Sequence, residues 1–196
     1  MKALIIVDIQ NDFLPGGALE VSKGDEIIPV INYLQKDYEL IVATQDWHPA
    51  NHQSFASQHP DKLPFESIEL AGIPQILWPD HCIQDSYGAQ FSDDLDLSRV
   101  EAIFRKGMNP TIDSYSGFYD NGRLKNTGLS GYLKDRAVDE VHVCGLAADF
   151  CVFFTAMDAL KEGFKTSIIS KATKAIDKGA MMEKKNDFIQ AGGLLI

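Results

Sequence analysis

Three polar side chains with complementary chemistry stand at the ends of three apolar runs. Asp8 follows Ala3 to Val7, Lys106 follows Val100 to Phe104, and Cys151 lies beyond the run that starts at Val141 and breaks at Gly145. A thiol, with an ordinary pKa of about 8.5, is mostly protonated at neutral pH; a neighbouring ammonium favours its thiolate, and a carboxylate within reach can take and return the proton. Together these groups suit nucleophilic attack on a carbonyl, with an acid to protonate the leaving group. Taken singly, Asp8 could cap a turn, Lys106 could be solvated and Cys151 could be a packing residue.

A second set of chemistry-bearing residues lies in the middle of the chain. Asp46 and His48 are two apart, a spacing that puts both side chains on one face of an extended segment. His52, His59 and His81 follow. One carboxylate with two imidazoles suits zinc, iron or manganese, and three protein ligands leave a coordination position open for chemistry. Each histidine also has a plainer reading, as a solvated loop residue or a donor to a backbone carbonyl.

The elements that must position these groups can be read from hydrophobic pattern. Ala3 to Val7 is a continuous apolar run, as in a strand buried on both faces of a parallel sheet. Asp25 to Lys36 has helical spacing and Leu40 to Ala43 returns as a strand, completing a β-α-β unit. Thr44 to about Ser98 is broken by prolines, holds four of the five histidines and reads as a long functional loop. Val100 to Phe104 is a third strand, a polar loop runs to about Asn126, and Leu129 to Lys134 is a short helix. The stretch Val141 to Leu160 reads as strand, tight turn and helix, the helix starting at about Cys151, where its N-terminus would favour a thiolate. Lys165 to Ile169, Gly179 to Gln190 and Leu194 to Ile196 follow as strand, helix and closing strand. The pattern predicts a single α/β domain over 1–196, three layers α/β/α with a central parallel Rossmann-like sheet, in which all strand carboxyl ends share one edge.

Composition narrows the function classes. A chain of 196 residues can bury roughly 70% of its unfolded surface, so no disulfide or metal is needed to hold the core. Net charge of −10 argues against nucleic-acid and anionic-membrane partners. Three cysteines are too few, and odd in number, for a disulfide framework, which points to a reducing, cytoplasmic compartment. The apolar run near the N-terminus, stopped by Asp8, is too short for a signal-peptide core or a membrane span.

Six separated motifs carry a resemblance. They are ALIIVDIQNDFLPGGAL at 3–19, ATQDWHPANHQSF at 43–55, WPDHC at 78–82, FRKG at 104–107, DSYSGF at 113–118 and VCGLAADFCV at 143–152. In this order they resemble the nicotinamidase/pyrazinamidase family of isochorismatase-like cysteine hydrolases, nearly end to end. The resemblance implies Asp8, Lys106 and Cys151 as catalytic triad and Asp46, His48 and His81 as ligands of one divalent metal, zinc first, with iron or manganese as alternatives. It implies Phe13 and Trp78 as the rings that sandwich a pyridine, with Leu19 and Tyr115 near the same pocket. It also implies a cis peptide at Leu146-Ala147 and an oxyanion hole made by the N–H groups of Ala147 and Cys151. Some relatives use a further ligand in the loop after the Asp-x-His pair; here His52 and His59 are the candidates, and water is expected in that place, with His52 behind the ligands.

The implied reaction is hydrolysis of nicotinamide to nicotinate and ammonia through a Cys151 thioester, and activity toward pyrazinamide stays open at this level. Carbamoyl amidohydrolases and isochorismatases share the scaffold but typically lack the metal set, and isochorismatases also lack the cysteine. A non-enzymatic metal or thiol redox protein would have no need of Asp8 and Lys106. Monomer and homo-oligomer stay open at this level.

Overall fold

A computed structural model describes residues 1–196. Six strands form one parallel sheet in the order β5-β2-β1-β6-β7-β8. They are β1 Lys2–Val7, β2 Leu40–Asp46, β5 Ala102–Lys106, β6 Glu140–Gly145, β7 Lys165–Thr173 and β8 Leu194–Leu195. The other two strands, β3 Ser67–Leu70 and β4 Ile73–Ile76, make a separate antiparallel hairpin.

The continuous apolar run of β1 supplies both faces of the sheet, as its period of two requires. Leu4 and Ile6 join a core with Ile28 and Ile31 of α1 (Ile28–Leu34). Ala3, Ile5 and Val7 join the opposite core, with Leu129 and Leu133 of α2 (Leu129–Asp135), Phe153 and Ala156 of α3 (Phe153–Lys161) and Phe188 of α4 (Lys178–Gln190). The three-layer α/β/α arrangement expected from the pattern is the one observed.

Register sets the working edge. Val7 is level with Thr44 on one side and Gly145 on the other, and Asp46 lies directly across from Lys106. Asp8 is the first residue past β1, so Asp8, Asp46 and Lys106 arrive at one edge by strand pairing alone. Gly145 is obligatory there: its φ is +113°, and a Cβ would stand 2.1 Å from the Val7 carbonyl oxygen.

Several elements differ from those expected: β2 runs past Ala43 to Asp46, β5 spans Ala102–Lys106 in place of Val100 to Phe104, and β7 runs past Ile169 to Thr173. The helix expected over 25–36 is true α-helix only from Ile28 to Leu34, opening at Pro29 and flanked by 3-10 turns at Gly24–Ile27 and Gln35–Asp37. The hairpin β3–β4 lies inside the stretch read as loop, because Pro74 within β4 and the turn at Ala71-Gly72 hide its strand pattern. Cys151 does not open α3: a π-helical turn, Ala148–Val152, comes first.

Candidate active site

Lys106 is the hub of the site. Its Nζ, fully buried, lies 2.9 Å from Asp8 Oδ2 and donates to Asp46 Oδ1 at 2.7 Å, to the Ser114 carbonyl at 3.0 Å and toward Cys151 Sγ at 3.4 Å. The carboxylates outweigh the cost of burial and hold the lysine well above its ordinary pKa. Asp46 is held low, because Lys106 and the neighbouring imidazoles overcome its own desolvation. One ammonium is therefore shared by two carboxylates.

Asp8 is hydrogen-bonded through one oxygen only. Thr44 Oγ1 donates to its Oδ1 at 2.6 Å, while Oδ2, close to the ammonium, receives no well-directed hydrogen bond. Burial, with the nearby Asp46 charge, raises its pKa against the pull of Lys106. A reactive oxygen of Asp8 and Cys151 Sγ lie within 4.8 Å of one another. Burial also pushes the Cys151 thiol well above its ordinary range, with Lys106 opposing. The expected placement at a helix N-terminus is corrected: Cys151 lies inside the π-helical turn ahead of α3, where burial disfavours its charged form and Lys106 favours it.

Asp46, His48 and His81 also converge, their ligating atoms within 4.8 Å of one another. His48 Nδ1 faces the Gly107 carbonyl at 3.0 Å and His81 Nδ1 the Pro79 carbonyl at 2.8 Å, so each Nδ1 carries a proton and donates it. That leaves the Nε2 atoms turned to the Asp46 carboxylate, at 3.5 and 3.9 Å. Three acceptors facing one another call for a cation, and carbonyl partners behind ligating imidazoles are the usual support of a metal site. The residues fit a divalent metal. Gly107 makes room for this arrangement: its φ is +69°, and a Cβ would meet the His48 ring at 2.4 Å.

His52 is oriented otherwise. Its Nδ1 accepts from the Ser54 N–H at 3.1 Å, which assigns the ring proton to Nε2, a buried atom without a partner. With its ring centre 4.4 Å from that of His48, it backs the ligand set as a donor-bearing neighbour. His59 turns away, its Nε2 on the Gln53 carbonyl at 2.7 Å.

One pocket brings Cys151 next to Asp46, His48 and His81. Phe13, Leu19, Trp78 and Tyr115 line it together with Cys151, Ala147, Asp46, His48 and His81. Tyr115 is held by its hydroxyl, which accepts from Trp78 Nε1 at 3.2 Å and Gln75 Nε2 at 3.0 Å. The Leu146-Ala147 peptide is cis, and the Ala147 N–H donates to no backbone acceptor. Three further lining residues, Asp113, Phe150 and Ile176, escaped the reading of the sequence. Phe150 adjoins Cys151 and Asp113 opens a quoted motif, which were the signals available; Ile176 had none.

The family model of the isochorismatase domain matches residues 2–196. The chain belongs to the isochorismatase family. It is 49% identical over 191 residues to a nicotinamidase of Acinetobacter baylyi, covering 97% of this chain and 89% of that one. Among solved structures, a nicotinamidase/pyrazinamidase of Acinetobacter baumannii superposes with a TM-score of 0.97 at 50% identity, covering 100% of this chain and 95% of that one. A Pyrococcus horikoshii pyrazinamidase solved in complex with zinc gives a TM-score of 0.81 at 37% identity, covering 100% and 98%.

Proposed function

We propose that this member of the family hydrolyses nicotinamide to nicotinate and ammonia through a thioester on Cys151. The observation that carries the reading is the convergence of Asp8 and Lys106 on Cys151, which lines a pocket together with Asp46, His48 and His81. The relatives' activity supports the substrate. Pyrazinamide, a primary amide on a similar nitrogen ring, suits the same pocket.

The ring of the substrate enters between Phe13 and Trp78, with Leu19 and Tyr115 completing the apolar wall. Asp46, His48 and His81 would hold one divalent metal, which supplies a Lewis acid for the pyridine nitrogen and so orients the ring. Zinc is our assignment, on the strength of the zinc-bound relative; iron and manganese suit the same ligands.

Asp8 Oδ2 takes the Cys151 proton while Lys106 stabilises the thiolate as it forms. The raised pKa of the Asp8 carboxyl makes it a better base. The thiolate adds to the amide carbon, and the N–H groups of Ala147 and Cys151 receive the oxyanion; one such donor is worth about 3 kcal/mol. Asp8 returns the proton to the departing ammonia. A water, deprotonated by Asp8, then adds to the thioester, and the proton goes to the sulfur as nicotinate leaves.

No helix is long and apolar enough to cross a membrane. We place the protein in the cytoplasm, where its three free cysteines would stay reduced.

The test is ammonia release from nicotinamide by purified protein, before and after chelation and after return of zinc, iron or manganese. Release that chelation removes and a metal restores is expected. Folded protein that releases no ammonia with any of these metals would refute the assignment.

A further inference from the structure

Lys184, on α4, has no part in the reaction steps above, yet it is packed against the nucleophile turn. Its Nζ donates to the Asp149 carbonyl oxygen. It also stands 4.2 Å from the centre of the Phe150 ring, with the rings of Phe154 and Phe153 at 5.2 and 5.5 Å. Asp149 and Phe150 immediately precede Cys151 in the π-helical turn, and Phe150 lines the substrate pocket. An ammonium half withdrawn from water against three phenyl faces is costly unless its contacts are specific, and a methylene chain alone would pack there more cheaply.

Asp149 is gripped from its other end as well. Its carboxylate, fully buried, accepts the N–H of Ile176 at 3.0 Å and of Asp177 at 2.8 Å. Ile176 lines the pocket, and Asp177 caps α4 through the Gly179 N–H at 2.7 Å. The start of α4 and the nucleophile turn are thus tied by the side chain of Asp149, and the body of α4 reaches back to its carbonyl through Lys184. Phe150 in turn meets Trp78 edge-on with ring centres 4.9 Å apart, so its position is passed to the pocket wall.

We propose that Lys184 is a positioning residue for the reaction: from α4 it holds the Asp149 carbonyl and the Phe150 ring, fixing Cys151 and the aromatic wall of the pocket relative to each other. The inference rests on the reading of Cys151 as nucleophile. Its force comes from geometry, since misplacing a reacting atom by about 1 Å can cost on the order of a hundredfold in rate.

The experiment compares Lys184→Met, which keeps the length but loses charge and donor, with Lys184→Arg, which keeps both. In the metal-loaded enzyme, kcat and KM for nicotinamide are measured on the monodisperse folded fraction from size exclusion, its fold checked by circular dichroism. The expected result is a kcat lowered about tenfold in Lys184→Met with KM changed less than about threefold, and recovery of most of kcat in Lys184→Arg. A wild-type kcat in Lys184→Met, or a loss that Lys184→Arg does not restore, would overturn the proposal. If Lys184→Met does not fold, Lys184→Gln is judged by the same criteria. Wild-type enzyme that keeps its activity after Cys151 is alkylated would refute the nucleophile itself, a result separate from either variant.

Discussion

Lys106 and Asp46 are hydrogen-bonded at 2.7 Å and sit directly opposite each other in the pairing of β2 with β5. The proposed reacting trio and the proposed ligand set therefore share a single charge balance. Lys106→Met leaves Asp8 and Asp46 buried without their counter-ion, a change that costs about 3 to 5 kcal/mol for a broken buried pair. Chemical denaturation of the metal-free variant should show this loss, and added zinc should restore part of it. Unchanged stability would mean that Lys106 does not balance these carboxylates.

Cys151→Ala would remove the proposed nucleophile and little else, since Lys106 keeps its contacts to Asp8, Asp46 and the Ser114 carbonyl. We expect no turnover, a normal unfolding transition and full metal content. Residual turnover by the folded variant would exclude the thioester route, and loss of fold would make the cysteine structural.

Asp46→Ala takes away the anionic ligand while His48 and His81 keep their carbonyl partners. Bound metal, measured after dialysis, should fall to a small fraction of wild type. Full retention would remove Asp46 from the ligand set.

The pH profile follows from Asp8. Its carboxyl must be ionised to accept the thiol proton, and its pKa is raised by burial and by Asp46 against Lys106. As pH falls through that raised value the base is lost, so the acid limb of kcat/KM lies above the ordinary carboxylate value of about 4. An acid limb at or below 4 would show that another group is the base.

A stability prediction rests on Glu162, far from this chemistry. Hydrogen bonds from Lys134, Ser130 and Tyr119 pull its pKa down from 4.5 to about 2. The folded state therefore gains stability above pH 4.5 and loses it as pH falls toward 2. Because the group is close to solvent, screening trims the gain to about 1 kcal/mol. Glu162→Gln should cost about that much in urea at pH 7 and nearly nothing at pH 2. An equal cost at both pH values would refute the electrostatic origin.

The sheet and the ends of its strands were legible because parallel strands buried on both faces read as apolar runs. Asp8 and Lys106 were placed correctly for that reason. β2 was cut short at Ala43, since Thr44, Gln45 and Asp46 are polar yet buried, satisfied by partners distant in sequence such as the Ala89 carbonyl on Gln45. The π-helical turn left no trace in composition, because a shift of hydrogen-bond spacing by one residue needs no special side chain. The choice of His81 over His52 came from family likeness, since spacing alone was silent; in the structure His81 faces Asp46 and His48, while His52 clusters with His48 and Asp113. Ile176 reaches the pocket only because Asp149 holds its backbone, a contact across 27 residues.

The strand order has a bearing on how activity would be lost with heat. Asp8 and Cys151 hang from the neighbouring central strands β1 and β6, whereas Lys106 ends β5 at the rim of the sheet. Rim strands open at lower free energy than central ones. Brief fraying at β5 would withdraw the ammonium while the rest of the molecule stayed intact, so inactivation should precede melting, with amide exchange quickening in β5 before β1.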